Sequence, residues 1–257
     1  MGAHPVTIFD RGGRFTSSWG EGEFRTAHSI YVDRDDFVYT VDCGTHLVVK
    51  HAQSGEPVLT LGNRDLAGAV YYGEVFNMPT GVAVSSTGHI FVSDGYGNFK
   101  VQKFSPEGKH LGNWGRQGKG PGEFALVHNI DIDKNDLVYV CDRENGRIEI
   151  FDGDGTYLRE WGGMKLPCSI DIDGDVAYIC EQAYGDDPAR VHVLSLSGDV
   201  VSSWSTLEEE AKGSLGVAHG IAVDSRGDIY VADNPNAYQS ERKGQEWTAR
   251  VVKFIRQ

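Results

Sequence analysis

The stretch HNIDIDKNDLVYVCDREN, from His128 to Asn145, contains the pattern that decides the fold. Apolar and polar residues alternate through its first half, a polar turn follows, and a second apolar run ends in the acid Asp142. This pattern predicts a β-hairpin, because successive side chains of a strand point to opposite faces of a sheet. Further copies of the same pattern begin at His28, Thr80, Cys168 and His219.

Each hairpin belongs to a longer repeat of about 40 to 50 residues. A third and a fourth strand follow most copies, as in FKVQKFSPEGKHLGNWG (99–115) and GRIEIFDGDGTYLREWG (146–162), which share Gly-containing turns and a closing Trp-Gly. Four short antiparallel strands per repeat are typical of a β-propeller. We therefore predict an all-β, six-bladed propeller that forms a single domain over residues 1–257. Only STLEEEAKG (205–213) has the composition of a short helix.

The first and last blades are predicted to be incomplete. HPVTIFDRGGRFTSSWG (4–20) supplies only the third and fourth strands of blade one, and the sequence from His219 onward supplies three strands of blade six. Propellers usually close by combining strands from both termini within one blade. We expect either that the chain begins late, through truncation or a mis-assigned start, or that its ring closes with fewer strands.

Charge and composition argue against several classes of partner. The 257 residues carry a formal net charge of −13 and a pI near 5.1, so the overall field repels a phosphate backbone and nucleic acid is not expected to bind. The sequence shows neither a secretory signal nor a run of ~18 apolar residues, so we expect no membrane contact and a cytoplasmic protein. The cysteines form no CxxC pair and are predicted to be free thiols: Cys43, Cys141, Cys168 and Cys180.

Histidine recurs at one position of the repeat. It is the first residue of three hairpins, at His28, His128 and His219, and these hairpins belong to alternate blades. A lone histidine there would more often be a structural hydrogen-bonder, but the first strand of a blade lines the central channel, so three should converge near the axis. Three neutral imidazoles with an open fourth position suit a catalytic zinc, which we predict here. The remaining histidines are interpreted as surface or loop residues: His4, His46, His51, His89, His110 and His192.

The ends of the second strands, and the residues directly after them, contain two kinds of candidate residue. An acid ends all five hairpins, which favours a structural role in binding the backbone amides of the following loop: Asp42, Asp94, Asp142, Glu181 and Asp233. The residues after the acid differ between repeats, and Tyr96 and Arg143 should lie on the same face as the histidines. As structural residues they would be rim packing and a surface ion pair. Beside a metal they are candidates for a general base and an anion binder.

The repeat resembles the NHL family of propellers, and three parts of the chain resemble one family of enzymes. VSDGYGNFKVQKFSPEGK, VHNIDID with VYVCDRENGRI, and AHGIAVD with IYVAD are similar to segments of peptidyl-α-hydroxyglycine α-amidating lyase, or peptidylamidoglycolate lyase. The resemblance implies that zinc is held by His28, His128 and His219. It also implies that Tyr96 is the catalytic tyrosine and Arg143 an active-site arginine. The expected activity is cleavage of an N-acyl-α-hydroxyglycine-type carbinolamide to an amide and glyoxylate, with a small-molecule or peptide-derived carboxylate as substrate.

Four positions depart from that family's pattern. Met1 stands where the family has an active-site arginine, and Gly97 stands where a cysteine forms a disulfide. Val217 replaces a methionine near the third histidine. Gly220 replaces an acid that supports a structural calcium in the animal enzyme, which argues against calcium here.

Two alternatives stand beside the lyase hypothesis. A non-enzymatic NHL propeller would serve as an interaction platform, and it predicts no metal. A different metal-dependent hydrolase or lyase could use the same three histidines, because propeller folds support many chemistries. The sugar-lactone hydrolase type generally binds calcium through carboxylate and asparagine ligands, and the three histidines argue against that type.

Overall fold

The computed structural model describes residues 5–64, 66–67, 76–182, 187–205, 215, 217–233 and 250–255. Within these ranges the regular structure is β, apart from one 3-10 turn at Arg143–Asn145. The strands are β1 Val6–Phe9, β2 Phe15–Trp19, β3 Ala27–Val32, β4 Val38–Asp42, β5 Leu47–His51, β6 Pro57–Gly62, β7 Gly81–Val84, β8 Ile90–Asp94, β9 Lys100–Phe104, β10 His110–Trp114, β11 Val127–Ile132, β12 Val138–Asp142, β13 Arg147–Phe151, β14 Tyr157–Trp161, β15 Pro167–Asp173, β16 Val176–Glu181, β17 Arg190–Ser195, β18 Val200–Ser205, β19 Ala218–Val223, β20 Ile229–Asp233 and β21 Arg250–Phe254.

The chain divides into two compact units, Met1–Arg116 and Gln117–Gln257. The first unit contains a two-stranded sheet, β1–β2, and two four-stranded sheets, β3–β6 and β7–β10. The second contains two four-stranded sheets, β11–β14 and β15–β18, and a three-stranded sheet, β19–β21. We number these six sheets as blades one to six. The predicted all-β propeller, with two strands in blade one and three in blade six, is confirmed; the single domain over residues 1–257 stays a prediction.

Local chemistry explains where the hairpin of blade four turns. The Asp133 carboxylate accepts hydrogen bonds from the Asn135 and Leu137 amides at 2.8 and 2.9 Å, and so folds the turn between β11 and β12. Asp136 then adopts a left-handed backbone, with φ of +58°. Asparagine, aspartate and glycine reach that conformation at low cost, so the polar turns of the repeat suit it.

The tryptophan of the recurring Trp-Gly packs against the next blade at two places. Trp161, which ends blade four, lies over Gly198 in blade five, and a Cβ on Gly198 would meet the indole at 2.6 Å. Trp19, which ends blade one, lies over Gly55 of blade two in the same way, at 2.7 Å. Both glycines have positive φ, so a larger residue there would be strained as well as crowded.

Apolar side chains from neighbouring blades form the core of each unit. In the first unit, one cluster joins blades two and three and includes Val41, Val48, Val82 and Val92. In the second unit, one cluster joins blades four and five and another joins blades five and six. The four cysteines are buried and free, in agreement with the sequence prediction.

The acids that end the second strands bind a segment that was not predicted from the sequence. Asp142 Oδ1 accepts hydrogen bonds from the Ala125 and Leu126 amides, at 2.9 and 3.3 Å. Those amides belong to the segment that leads into the first strand of the blade, and the same arrangement holds in blades two, three, five and six. The structural role is confirmed. The predicted contact with the following loop is present in blade two, where Asp42 Oδ1 accepts a hydrogen bond from the Thr45 amide at 2.7 Å, but the contact with the preceding segment was not predicted. The end of the second strand lies beside the start of the first, so the carboxylate meets the incoming chain.

Two further points concern helices. The helix predicted at 205–213 lies outside the described residues, except for Ser205, which ends β18. Among the residues that the structure describes, no helix is long and apolar enough to cross a membrane.

Candidate metal centre

A β-bulge positions each of the three repeat histidines. In blade two, Ala27 faces Asp42 and Ser29 faces Val41, so His28 is the extra residue between two paired neighbours. His128 and His219 occupy the same place in blades four and six, and Cys168 occupies it in blade five. An extra residue bends its strand and redirects its side chain. The histidines are therefore presented at the start of the strand by a feature that plain alternation does not reveal.

In the first unit, His28 and Tyr96 are in direct contact. His28 Nδ1 lies 2.6 Å from the Thr80 carbonyl oxygen, and His28 Nε2 lies 3.0 Å from the Tyr96 hydroxyl. A carbonyl oxygen only accepts, so Nδ1 carries the proton and Nε2 presents its lone pair. The two rings meet edge to face, with centroids 5.0 Å apart. Two of the sequence-predicted site residues are thus brought together.

In the second unit, His128 and His219 form a matching pair. Their ring centroids lie 4.7 Å apart, and the rings cross at 76°. His128 is buried, and its Nδ1 lies 2.6 Å from the Cys168 carbonyl oxygen. His128 therefore also presents Nε2. The contact repeats that of His28, because Thr80 and Cys168 both start the hairpin of the following blade.

Arg143 lies in the second unit beside Cys168, at the start of the 3-10 turn. Its guanidinium Nε and Nη2 both donate to Glu144 Oε1, at 3.1 and 2.9 Å. Burial raises the pKa of the Cys168 thiol to about 12, and the adjacent Arg143 guanidinium opposes that rise. Cys168 is therefore a neutral thiol next to Arg143, and its backbone carbonyl is the group that contacts His128. A surface ion pair was the structural alternative for Arg143, but Arg143 is only 6% exposed, so its guanidinium is the buried member of the pair with Glu144.

The other histidines are not all surface or loop residues, which corrects the sequence interpretation. His51 is 1% exposed in β5, where its Nε2 lies 2.9 Å from Thr40 Oγ1. His192 lies in β17 and its Nε2 is 3.1 Å from Glu181 Oε2. His89 lies at a hairpin turn beside Thr87, as expected, and His4 lies outside the described residues.

The sequence analysis missed Asn77, which binds the loop that carries Tyr96. Asn77 lies in the segment before β7, outside the hairpin pattern of the repeat. The feature of the sequence that could have indicated it is its spacing from Asp94, because the acids that end the second strands bind amides 16 or 17 residues before them. Met1, where the family has an arginine, lies outside the described residues.

Comparisons with known proteins agree with this fold. A family model described as "6-bladed beta-propeller" matches residues 78–176, and one described as "NHL repeat" matches residues 215–237. The chain is 32% identical over 234 residues to rat peptidylglycine alpha-amidating monooxygenase, covering 84% of this chain but 23% of the relative. The chain thus spans about a quarter of the length of that relative.

Two shorter relatives are matched over most of their length. A probable peptidyl-alpha-hydroxyglycine alpha-amidating lyase of Caenorhabditis elegans is 32% identical, over 88% of this chain and 66% of the relative. NHL repeat-containing protein 3 of Mus musculus is 31% identical, over 89% of this chain and 69% of the relative.

Proposed function

Because the chain belongs to the NHL-repeat β-propeller family that includes the peptidyl-α-hydroxyglycine α-amidating lyases, we propose that it is a zinc-dependent carbon–nitrogen lyase. Its substrate is an N-acyl-α-hydroxyglycine, and its products are the amide and glyoxylate. The observation that carries the proposal is the fixed orientation of His28, whose Nδ1 is held by a carbonyl while its Nε2 faces Tyr96.

The donor set fits zinc. His28, His128 and His219 each offer one ring nitrogen as a ligand. In His28 and His128 the Nδ1 proton is donated to a backbone carbonyl, which is the usual outer contact of a metal-bound imidazole. Three neutral imidazoles leave room for a fourth ligand. When bound there, zinc supplies Lewis acidity toward the carbinol hydroxyl of the substrate.

Tyr96 moves the proton that the reaction requires. Acting as a phenolate, its oxygen takes the proton of the carbinol hydroxyl, whose carbon–oxygen bond then becomes the carbonyl of glyoxylate. The carbon–nitrogen bond breaks at the same carbon, and the nitrogen takes a proton back from the Tyr96 hydroxyl to give the amide. The proton therefore travels from oxygen to nitrogen, and no water is consumed.

Arg143 binds the carboxylate of the substrate. A guanidinium grips a carboxylate with two parallel hydrogen bonds, which fixes the orientation of the scissile bond. A net charge of −13 disfavours an anionic substrate at long range, but a guanidinium and a dication reverse the potential locally. The proposal extends to a cytoplasmic location, with neither nucleic acid nor membrane as partner.

The test uses the purified full chain, its zinc content and the release of glyoxylate from α-hydroxyhippurate. We expect about one zinc per chain, with loss of both zinc and turnover in His28→Ala, His128→Ala and His219→Ala. His89→Ala is the control and should change neither. Full zinc content in all three variants would rule out the shared site.

A second candidate is a non-enzymatic interaction platform. The 31% identity to NHL repeat-containing protein 3 favours it, because that name describes repeats and no reaction. It predicts that the parent chain releases no glyoxylate and that replacing the three histidines changes neither measured quantity. Zinc binding without glyoxylate release would instead favour a different metal-dependent hydrolase or lyase on the same ligands.

A further inference from the structure

We propose that Asn77 is a positioning residue for Tyr96, a role that rests on the proposed lyase function. Tyr96 lies in the loop between β8 and β9, so no strand pairing fixes it. Its position must come from contacts of the loop with another segment. The structure places those contacts in the segment 76–80, which leads into β7.

Three hydrogen bonds join the loop to that segment. Gly97 N donates to the Asn77 carbonyl at 2.9 Å, and Asn77 Nδ2 donates back to the Gly97 carbonyl at 3.3 Å. Tyr96 N donates to the Met78 carbonyl at 3.3 Å. Asn77 therefore binds Gly97 through both its backbone and its side chain, and the residue held in this way is the direct neighbour of the tyrosine.

Blade three differs from blades two, four and five in the number of backbone bonds that hold this loop. In blades two, four and five the residue after the acid makes one backbone bond to the segment before the first strand: Cys43 to Thr26, Arg143 to Leu126 and Gln182 to Leu166. In blade three, Tyr96 and Gly97 make two backbone bonds to that segment. A side-chain bond like that of Asn77 also occurs in blade two, where Arg25 Nη1 donates to the Gly44 carbonyl at 3.1 Å. The additional backbone bond occurs in the blade that carries the phenol.

Asn77 is itself positioned by a hydrogen bond to a buried carboxylate. Its amide donates to Oδ1 of the fully buried Asp94 at 2.9 Å. Asp94 Oδ2 accepts from Asn98 Nδ2 and Gln102 Nε2, both at 2.7 Å. Asp94 thus ties the far end of the Tyr96 loop to the same anchor, which limits movement of the loop on both sides of the tyrosine.

Gly97 is complementary to Asn77 in shape. A Cβ added at Gly97 would overlap the amide carbon and oxygen of the Asn77 side chain. Any larger residue at 97 must push the Asn77 amide out of its place. The two positions are therefore coupled, and the coupling can be measured by a double-mutant cycle.

The same segment holds the partner of the tyrosine. Thr80 accepts the hydrogen bond from His28 Nδ1, only three residues after Asn77. One short segment therefore orients both the phenol and the imidazole, and their 3.0 Å contact follows from it. Loss of the Asn77 amide should displace Tyr96 while His28 keeps its own carbonyl contact.

The experiment compares Asn77→Ala, Gly97→Ala and the double variant with the parent chain. Two readouts are needed: kcat and KM for α-hydroxyhippurate, and the ¹⁹F NMR signal of residue 96 in 3-fluorotyrosine-labelled protein, assigned by its loss in Tyr96→Phe. We expect each single variant to shift or broaden that signal and to lower kcat roughly 10- to 100-fold, with KM within about threefold. Zinc content should not change. The double variant should be no worse than either single variant.

Thr40→Val is the control, because it removes a buried side-chain hydrogen bond to His51 in the same unit. It should lower the melting temperature without moving the residue 96 signal or kcat. An unmoved signal in Asn77→Ala, or additive losses in the double variant, would overturn the positioning role. If the parent chain releases no glyoxylate, the proposed function fails, and the ¹⁹F signal still decides whether Asn77 positions Tyr96.

Discussion

Replacement of Glu144 by glutamine is expected to lower KM for an anionic substrate. Arg143 donates two hydrogen bonds to Glu144 Oε1, at 3.1 and 2.9 Å. A substrate carboxylate that binds this guanidinium must displace Glu144 or share the cation with it. Glutamine keeps the shape and an acceptor oxygen but removes the negative charge. The substrate carboxylate then competes for Arg143 with a neutral amide instead of a carboxylate.

The magnitude follows from the exposure of the pair. The Glu144 side chain is 42% exposed, so water screens its attraction to Arg143. The competition is therefore worth about 0.5–1 kcal/mol, the range of partly exposed ion pairs, rather than the ~1.5–3 kcal/mol of a buried charged hydrogen bond. That energy corresponds to a fall in KM of roughly two- to fivefold. The effect should shrink as salt screens the charges.

Glu160→Gln provides a matched control. Glu160 pairs with Arg147 at 2.8 Å in the same blade, and its side chain is 39% exposed. The two variants change the net charge equally, so a general electrostatic effect would lower both KM values alike. Steady-state glyoxylate release at low and high salt separates the cases. Equal shifts in both variants, or an unchanged or raised KM in Glu144→Gln at low salt, would refute direct competition for Arg143.

Three further outcomes are expected. Tyr96→Phe should keep its zinc while kcat falls roughly 10²- to 10⁴-fold, because the ring remains but the proton acceptor is lost; an unchanged kcat would remove Tyr96 from the mechanism. The amount of zinc retained after dialysis should decrease at pH values below about 6, because an imidazole, with an ordinary pKa of ~6.5, then binds a proton in place of the metal. Equal retention of zinc at pH 5 and 8 would contradict histidine ligation. Burial raises the pKa of Glu149 to about 7, above its ordinary value of 4.5, so the folded state binds the extra proton and stability should fall as pH rises from about 4.5 to 7. The difference in unfolding free energy between pH 5 and pH 8, measured with urea, should be about 1–3 kcal/mol smaller in Glu149→Gln than in the parent chain. An equal difference in both proteins would count against the raised pKa.

The sequence alone was sufficient for the parts of the fold that local patterns govern. Alternating residues and polar turns predicted the hairpins, the four-stranded blades and the incomplete first and last blades. Comparison of the repeats with one another also placed His28, His128 and His219 in a common position. These features were predictable because the period-2 pattern of a strand and the chemistry of a turn depend on residues close in sequence.

Contacts between distant segments were decided only by the tertiary structure. The bulges at the histidines, the buried place of His51 and the reciprocal bonds of Asn77 with Gly97 have no signature in alternation. The acids were recognised as structural, but their contacts with amides before the first strand were not predicted. A buried donor or acceptor must find a partner wherever the fold brings one. Which partner that is depends on how strands far apart in sequence pack, and this is information that no short window of sequence contains.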